Sequence, residues 1–221
     1  MSARAWAALV LLSAVPLTAG ALRLVQLAGG PAVIPADGRF AGFPAALVLH
    51  ILGASVFALL GVLQLVPRLR REHRRWHRRT GRVVLAAGLA VSGSALWLTV
   101  FYEPQPGTGP LLLVLRLLFA PATAACLVLG VAAIRCGDVD RHRAWMIRGY
   151  ALGLAAGTQV LTGSLAEAAV GTGELRSDVA KGLGWAINLA VAEWVVRRPS
   201  HRPRRGHAVA LDGGTQAGAL T

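Results

Sequence analysis

Long apolar runs alternate with short stretches rich in Arg, Gly and Pro along almost the whole chain. The runs cover approximately 5–28, 44–66, 83–102, 110–134, 149–170 and 180–196, each close to the roughly 20 residues that a helix needs to cross a bilayer. In lipid such runs must be helical, because an open backbone there leaves its N–H and C=O groups unsatisfied. The breaks between them carry turn-forming residues, as in GGPAVIPADGRFAGFP at 29–44 and EPQPGTGP at 103–110. The pattern predicts an all-α polytopic membrane bundle of about six transmembrane helices over residues 1–198, followed by a disordered cytoplasmic tail over 199–221. The last run is the least regular, since it holds Lys181, Asn188 and Glu193. Residues 1–21 have a basic start, an apolar stretch and an AGA ending at Ala21, as a cleavable signal peptide would. Apolar character continues past them through LVQLA, which favours a retained helix.

Composition sharpens the picture. A chain that is 55% hydrophobic and only 15% charged, yet carries a formal charge of +13, is no soluble domain, in which about 25% of residues are charged. The apolar content excludes disorder. Nucleic-acid binding would place the basic residues along solvated helices, not between apolar blocks. Instead they separate by side. Arg4, eight Arg from Arg68 to Arg82, four from Arg135 to Arg148 and five from Arg197 to Arg205 fall at one set of span ends. Arg23, Arg39, Arg176 and Lys181 fall at the other. The positive-inside rule then puts both termini and the Arg-rich loops in the cytoplasm of a cell with the protein in its inner (plasma) membrane. Anionic lipid headgroups are the expected partners of those loops.

The two Arg-rich loops resemble each other. HRRWHRRTGRVV at 73–84 and RHRAWMIRGYAL at 141–152 place His77, Arg78 and Arg82 against His142, Arg143 and Arg148 at an offset of 65 to 66 residues. The same offset carries His50 onto Arg116. Spans two plus three and four plus five therefore read as a repeated two-helix hairpin. Together, LHILGASVFALLGVLQLVPRLRREHRRWHRRTGR at 49–82 and IRCGDVDRHRAWMIRGYAL at 134–152 resemble the predicted membrane proteins grouped as domain-of-unknown-function 2306. The resemblance covers about 44–165 and is most specific at HRAWMIR. It implies a bacterial multi-pass membrane protein and supplies no reaction and no catalytic residue.

Charged groups within a span cost about 2.5–3.5 kcal/mol each at its centre and need an account. On the second span His50, Gly53, Phe57, Gly61, Gln64 and Arg68 recur at spacings of three and four and share one face. On the fifth, Gln159, Gly163 and Glu167 form another stripe. His50, Arg116 and Glu167 all lie near the outer ends of their spans. They are expected to form one polar cluster, with Arg116 paired to Glu167 and His50 bordering a small pocket, against an alternative in which Arg116 snorkels to headgroups and Glu167 sits in water. Gly149, Gly153 and Gly157 form a GxxxGxxxG run, a helix contact face within the chain or between protomers of a homo-oligomer. Asn188 reads as interhelical glue. Pro121, near the middle of the fourth span, predicts a kink there.

The leading functional reading is a membrane protein with a small intramembrane polar pocket, binding a small molecule or lipid. The second is a redox protein binding haem b or a quinone, for which His77 and His142, at matching depth on different helices, are the candidate ligands. Their bland alternative is interfacial anchoring beside Trp76 and Trp145, and a further one is an anion site built from the paired His-Arg motifs. A small transporter is the third reading, weakened because Pro is nearly confined to span ends and loops. Cys126 and Cys136 match no metal spacing or disulfide framework and read as structural.

Overall fold

The computed structural model describes residues 3–35, 37–40 and 44–198; the expected tail at 199–221 lies outside them. Eight α-helices follow in order: α1 (Ala3–Leu27), α2 (Ala45–Gln64), α3 (Pro67–Glu72), α4 (Arg74–Phe101), α5 (Pro110–Arg135), α6 (Val139–Gly153), α7 (Ala155–Val170) and α8 (Glu174–Arg197), with one 3-10 turn at Gly38–Phe40 before α2. The chain is an all-α polytopic membrane bundle, in which α1, α2, α4, α5 and α8 are each long and apolar enough to cross a membrane.

Local chemistry sets the boundaries. Pro67 and Pro110 open α3 and α5 at positions where the missing N–H has no helical partner to lose. Gly137, at φ 77°, turns the chain out of α5, and the Asp138 carboxylate then caps α6 by accepting from the Arg141 N–H at 2.8 Å. Gly171, at φ 75°, ends α7 in the same left-handed region.

The expected fifth span is not one helix. It begins ten residues earlier than the apolar run, at Val139, and is interrupted at Leu154 between α6 and α7. Its cause lies in α8: Asn188 Nδ2 donates to the Ala151 carbonyl at 2.8 Å, and Asn188 Oδ1 accepts from Thr158 Oγ1 at 2.7 Å. The acceptor that the Ala155 N–H would use in an unbroken helix is thus engaged by another helix, an established cause of bending. Leu154 keeps near-helical angles of φ −85° and ψ 1°, so the chain bends without unwinding. At Pro121, by contrast, α5 runs on uninterrupted.

The hairpins α2–α4 and α5–α6 pack through α4 on α5 and α2 on α6, closing a four-helix ring with α4 and α6 across from one another. α8 lies against α5, α6 and α7, and α1 against α2 and α7. Inside the ring Phe57 of α2 and Tyr150 of α6 meet with centroids 5.5 Å apart, and Tyr150 Oη donates to the Ala58 carbonyl at 2.9 Å. Glycines admit these rings. A Cβ at Gly61 would lie 2.2 Å from Tyr150 Cε2, and one at Gly88 2.6 Å from Phe57 Cε2. The three glycines of the GxxxGxxxG run are also consumed within the chain, Gly149 against Leu127, Gly153 against Phe57 and Gly157 against the Leu12 carbonyl.

Helix propensity alone favours Ala over Gly by about 1 kcal/mol, so position decides the outcome of this change. Gly61→Ala and Gly157→Ala should lower the thermal midpoint of the detergent-solubilised protein, whereas Gly163→Ala, where a Cβ meets nothing within 4 Å, should hold or raise it. Equal midpoints for all three variants would contradict the packing described.

Candidate functional site

At the end of the bundle away from the Arg-rich loops, α2, α5 and α8 all begin and bring their polar residues together. Asp178 of α8 is fully buried. Its carboxylate accepts from the Gly109 N–H at 3.0 and 3.1 Å and from the Leu112 N–H at 2.9 Å, so it caps α5 from a neighbouring helix. The sequence leaves that place open: Gly109, the N-cap, has no side chain to cap with, and a Cβ there would sit 3.1 Å from Asp178 Oδ2. A negative charge at a helix N-terminus is stabilised both by the N–H groups and by the aligned peptide dipoles.

The same contact fixes the run of α8 along α5. Below Asp178, Gly182 admits Leu115, whose Cδ1 lies 3.1 Å from the position a Cβ would take, and Trp185 stacks on Phe119 at 4.8 Å between centroids. The two helices are therefore parallel. Arg116, one turn after Leu112, and Lys181, one turn after Asp178, lie at similar depth on them. Lys181 Nζ donates to Ser177 Oγ at 3.1 Å. Arg39 closes the cluster from the α1–α2 loop. It forms an ion pair with Asp37, donates to the Glu103 carbonyl at 3.2 Å and holds the Asp37 carboxyl below its ordinary range through their side-chain hydrogen bond.

The pairing expected between Arg116 and Glu167 is not formed. Glu167 is exposed near the end of α7, a helix that packs mainly on α1, α6 and α8. The charges that bear on Arg116 are Arg39 and Asp178. Gln159, expected beside Glu167, instead donates to the Lys181 carbonyl at 3.2 Å.

His50 is next to Arg116 electrostatically and is half-buried. His50 Nδ1 lies 3.1 Å from Ser94 Oγ, whose hydroxyl also donates to the Ala90 carbonyl at 2.6 Å, and the Val91 backbone is a further partner of the ring. His50 also lines a cavity of about 130 Å3 enclosed by α1, α2 and the bend between α6 and α7, with Leu12, Pro16, Ile51 and Leu154 among its walls and Ser13 and Ser55 as further polar groups. Neither Arg116, Gln159 nor Glu167 reaches it, and neither does Gln64, whose amide donates to Thr80 of α4. The stripe on the second span therefore faces the bundle as far as Gln64; Arg68 falls on α3, exposed and paired with Glu72.

At the Arg-rich end His77 and His142 are each the fourth residue of their helices, α4 and α6. His142 Nδ1 lies 2.7 Å from the Gly130 carbonyl, whereas His77 Nδ1 is buried with no partner. Arg148 is not available to an anion, because its guanidinium forms two bonds to Glu193 of α8 at 2.5 and 3.1 Å. Arg78, Arg82 and Arg143 have no hydrogen-bond or ion-pair partner among the described residues. No group of three or more His, Cys, Asp or Glu among the described residues could hold a metal ion. Cys126 is buried and Cys136 exposed.

The profile of the family described as predicted membrane protein (DUF2306) matches residues 47–196. The chain belongs to that family. The DUF2306 match runs well past the 44–165 expected from the sequence and takes in α8 nearly whole, while α1 lies outside it. No curated protein and no solved structure is significantly similar to the chain.

Asp178 was missed by sequence reasoning because it lies just before the last apolar run. The signal was present as a helix start, Gly109-Pro110, with no capping side chain of its own. Asp178→Ala strips three N–H bonds from a charged acceptor and should cost on the order of 3 kcal/mol of stability, with Asp178→Asn in between. Thermal unfolding in detergent measures this; an unchanged midpoint for Asp178→Ala would exclude the capping role.

Proposed function

We propose that this DUF2306 protein is a multi-pass protein of the cell inner membrane that binds a small, mostly apolar molecule or lipid segment in the cavity beside His50. The observation that carries the reading is His50 itself, a polar side chain on the wall of an otherwise largely apolar cavity. A dry cavity of roughly 150 Å3 accepts one aromatic ring, so at about 130 Å3 this one suits a ring or a short alkyl segment. A hydroxyl on that ligand would hydrogen-bond the imidazole. Lipid alcohols and the quinol form of a quinone have this chemistry. Entry from the bilayer is supported by α1, which forms one wall and has many outward-facing apolar residues. The α6–α7 bend gives the cavity room without the unwound backbone of a transporter site, so transport is not proposed.

A second reading, haem b held by His77 and His142, is favoured by the buried, unpartnered Nδ1 of His77 and by the matching register of the two rings. Haem would supply one-electron chemistry at the Arg-rich end, where unpaired Arg78, Arg82 and Arg143 could face its propionates.

Native mass spectrometry of the purified protein should detect a bound small molecule that is lost in Ala54→Phe, which fills the cavity, and weakened about tenfold in His50→Leu. Wild type and Ala54→Phe carrying the same small molecules would overturn the proposal. Oxidised and reduced absorption spectra test the second reading: a Soret band abolished by His77→Ala with His142→Ala would establish it, and a colourless preparation from haem-supplemented cells would remove it.

A further inference from the structure

We infer that Arg116 and Lys181 form a binding site for a phosphate-bearing anion at the outer-leaflet end of the bundle, separate from the His50 cavity. Arg116 is half-buried on α5, about 9 Å along the helix from its start by the rise of 1.5 Å per residue. It makes no hydrogen bond and no ion pair among the described residues, although a guanidinium carries five N–H donors. The acidic group that reaches it electrostatically is Asp178. That carboxylate already accepts three hydrogen bonds from the backbone N–H groups at the start of α5.

Lys181 draws on the same carboxylate and directs one of its three donors to Ser177. Arg39, the third cation, is served by Asp37 and by the Glu103 carbonyl, with the Glu103 charge also in range. Neither cation thus has a carboxylate of its own within hydrogen-bonding reach, and the Arg116 guanidinium has no acceptor among the described residues. A phosphodiester brings a negative charge and several acceptor oxygens, which would serve both side chains. Orientation by the positive-inside rule places this end in the outer leaflet, so a phospholipid headgroup and free phosphate are both sources of that chemistry.

The test uses the full-length protein, delipidated in a neutral detergent and titrated with phosphatidylglycerol, bound lipid being read by native mass spectrometry. Wild type should retain the lipid at least tenfold better than Arg116→Gln and Lys181→Gln, while Arg176→Gln, an exposed cation near the same end whose guanidinium already bonds the Val170 carbonyl, should match wild type. Thermal midpoints identify any variant that fails to fold; Lys181→Gln then stands in for Arg116→Gln. Displacement by millimolar inorganic phosphate would support a site that takes the free ion too, and resistance to it would assign the site to lipid. Equal retention by wild type and folded Arg116→Gln or Lys181→Gln overturns the inference. Because Ala54→Phe blocks only the cavity, failure here and failure of the His50 reading are read from different variants.

Discussion

A single buried carboxylate organises the end of this bundle away from the Arg-rich loops. A carboxylate held among helices needs several hydrogen bonds, since taking an ion out of water costs several kcal/mol even after the protein relaxes. The start of α5 supplies them, because first-turn N–H groups have no partner inside their own helix. Each element answers the other's deficit. The acceptor sits on α8 and the donors on α5, so satisfying both pins the two helices side by side in one register, and Leu115 against Gly182 and Phe119 against Trp185 follow from it. Arg116 and Lys181 then lie at similar depth on neighbouring helices, although neither forms an ion pair among the described residues.

The half toward the Arg-rich loops is held differently. There is little hydrophobic drive between helices in lipid, so close packing and interhelical hydrogen bonds carry association. Gly61 and Gly88 bring the backbones of α2 and α4 up to Tyr150 and Phe57, and the Tyr150 hydroxyl finds the Ala58 carbonyl. Asn188 works against straightness: by engaging Ala151 and Thr158 it bends the path from α6 to α7. That bend, with α1 laid against Gly157, encloses the space beside His50. Shape here comes from one amide and one glycine.

Fold class was legible in the sequence because hydropathy over 20 residues reports directly on the solvent, and the bilayer admits few backbones. The stripe His50, Gly53, Phe57, Gly61, Gln64 was equally legible, since helical periodicity alone places those residues on one face. The role of Asn188 as interhelical glue was also readable, but not its consequence, because a bend caused by a side chain from another helix leaves no proline or glycine signature at Leu154. Pairing was the least legible. Periodicity gives a residue's face and depth but not which helix lies opposite, so Glu167 was as good a candidate for Arg116 as Asp178 until the packing of α8 on α5 was known. Glu193 shows the same gap: it looked like a blemish in a span and is the bidentate partner of Arg148.

These pairings bear on how the chain is made. The most apolar 18-residue stretch of α8 has a mean hydropathy of 1.3, against 2.4 for that of α2, and Asp178, Lys181, Asn188 and Glu193 all lie on this helix. Alone at the translocon, α8 would meet lipid with its charges unanswered and would partition into the bilayer poorly. With α5 and α6 already in place, the donors for Asp178 and the guanidinium for Glu193 are waiting. The final helix thus depends on the earlier ones for the partners of its charges, and a chain damaged at Gly109 or Arg148 would leave Asp178 or Glu193 without them.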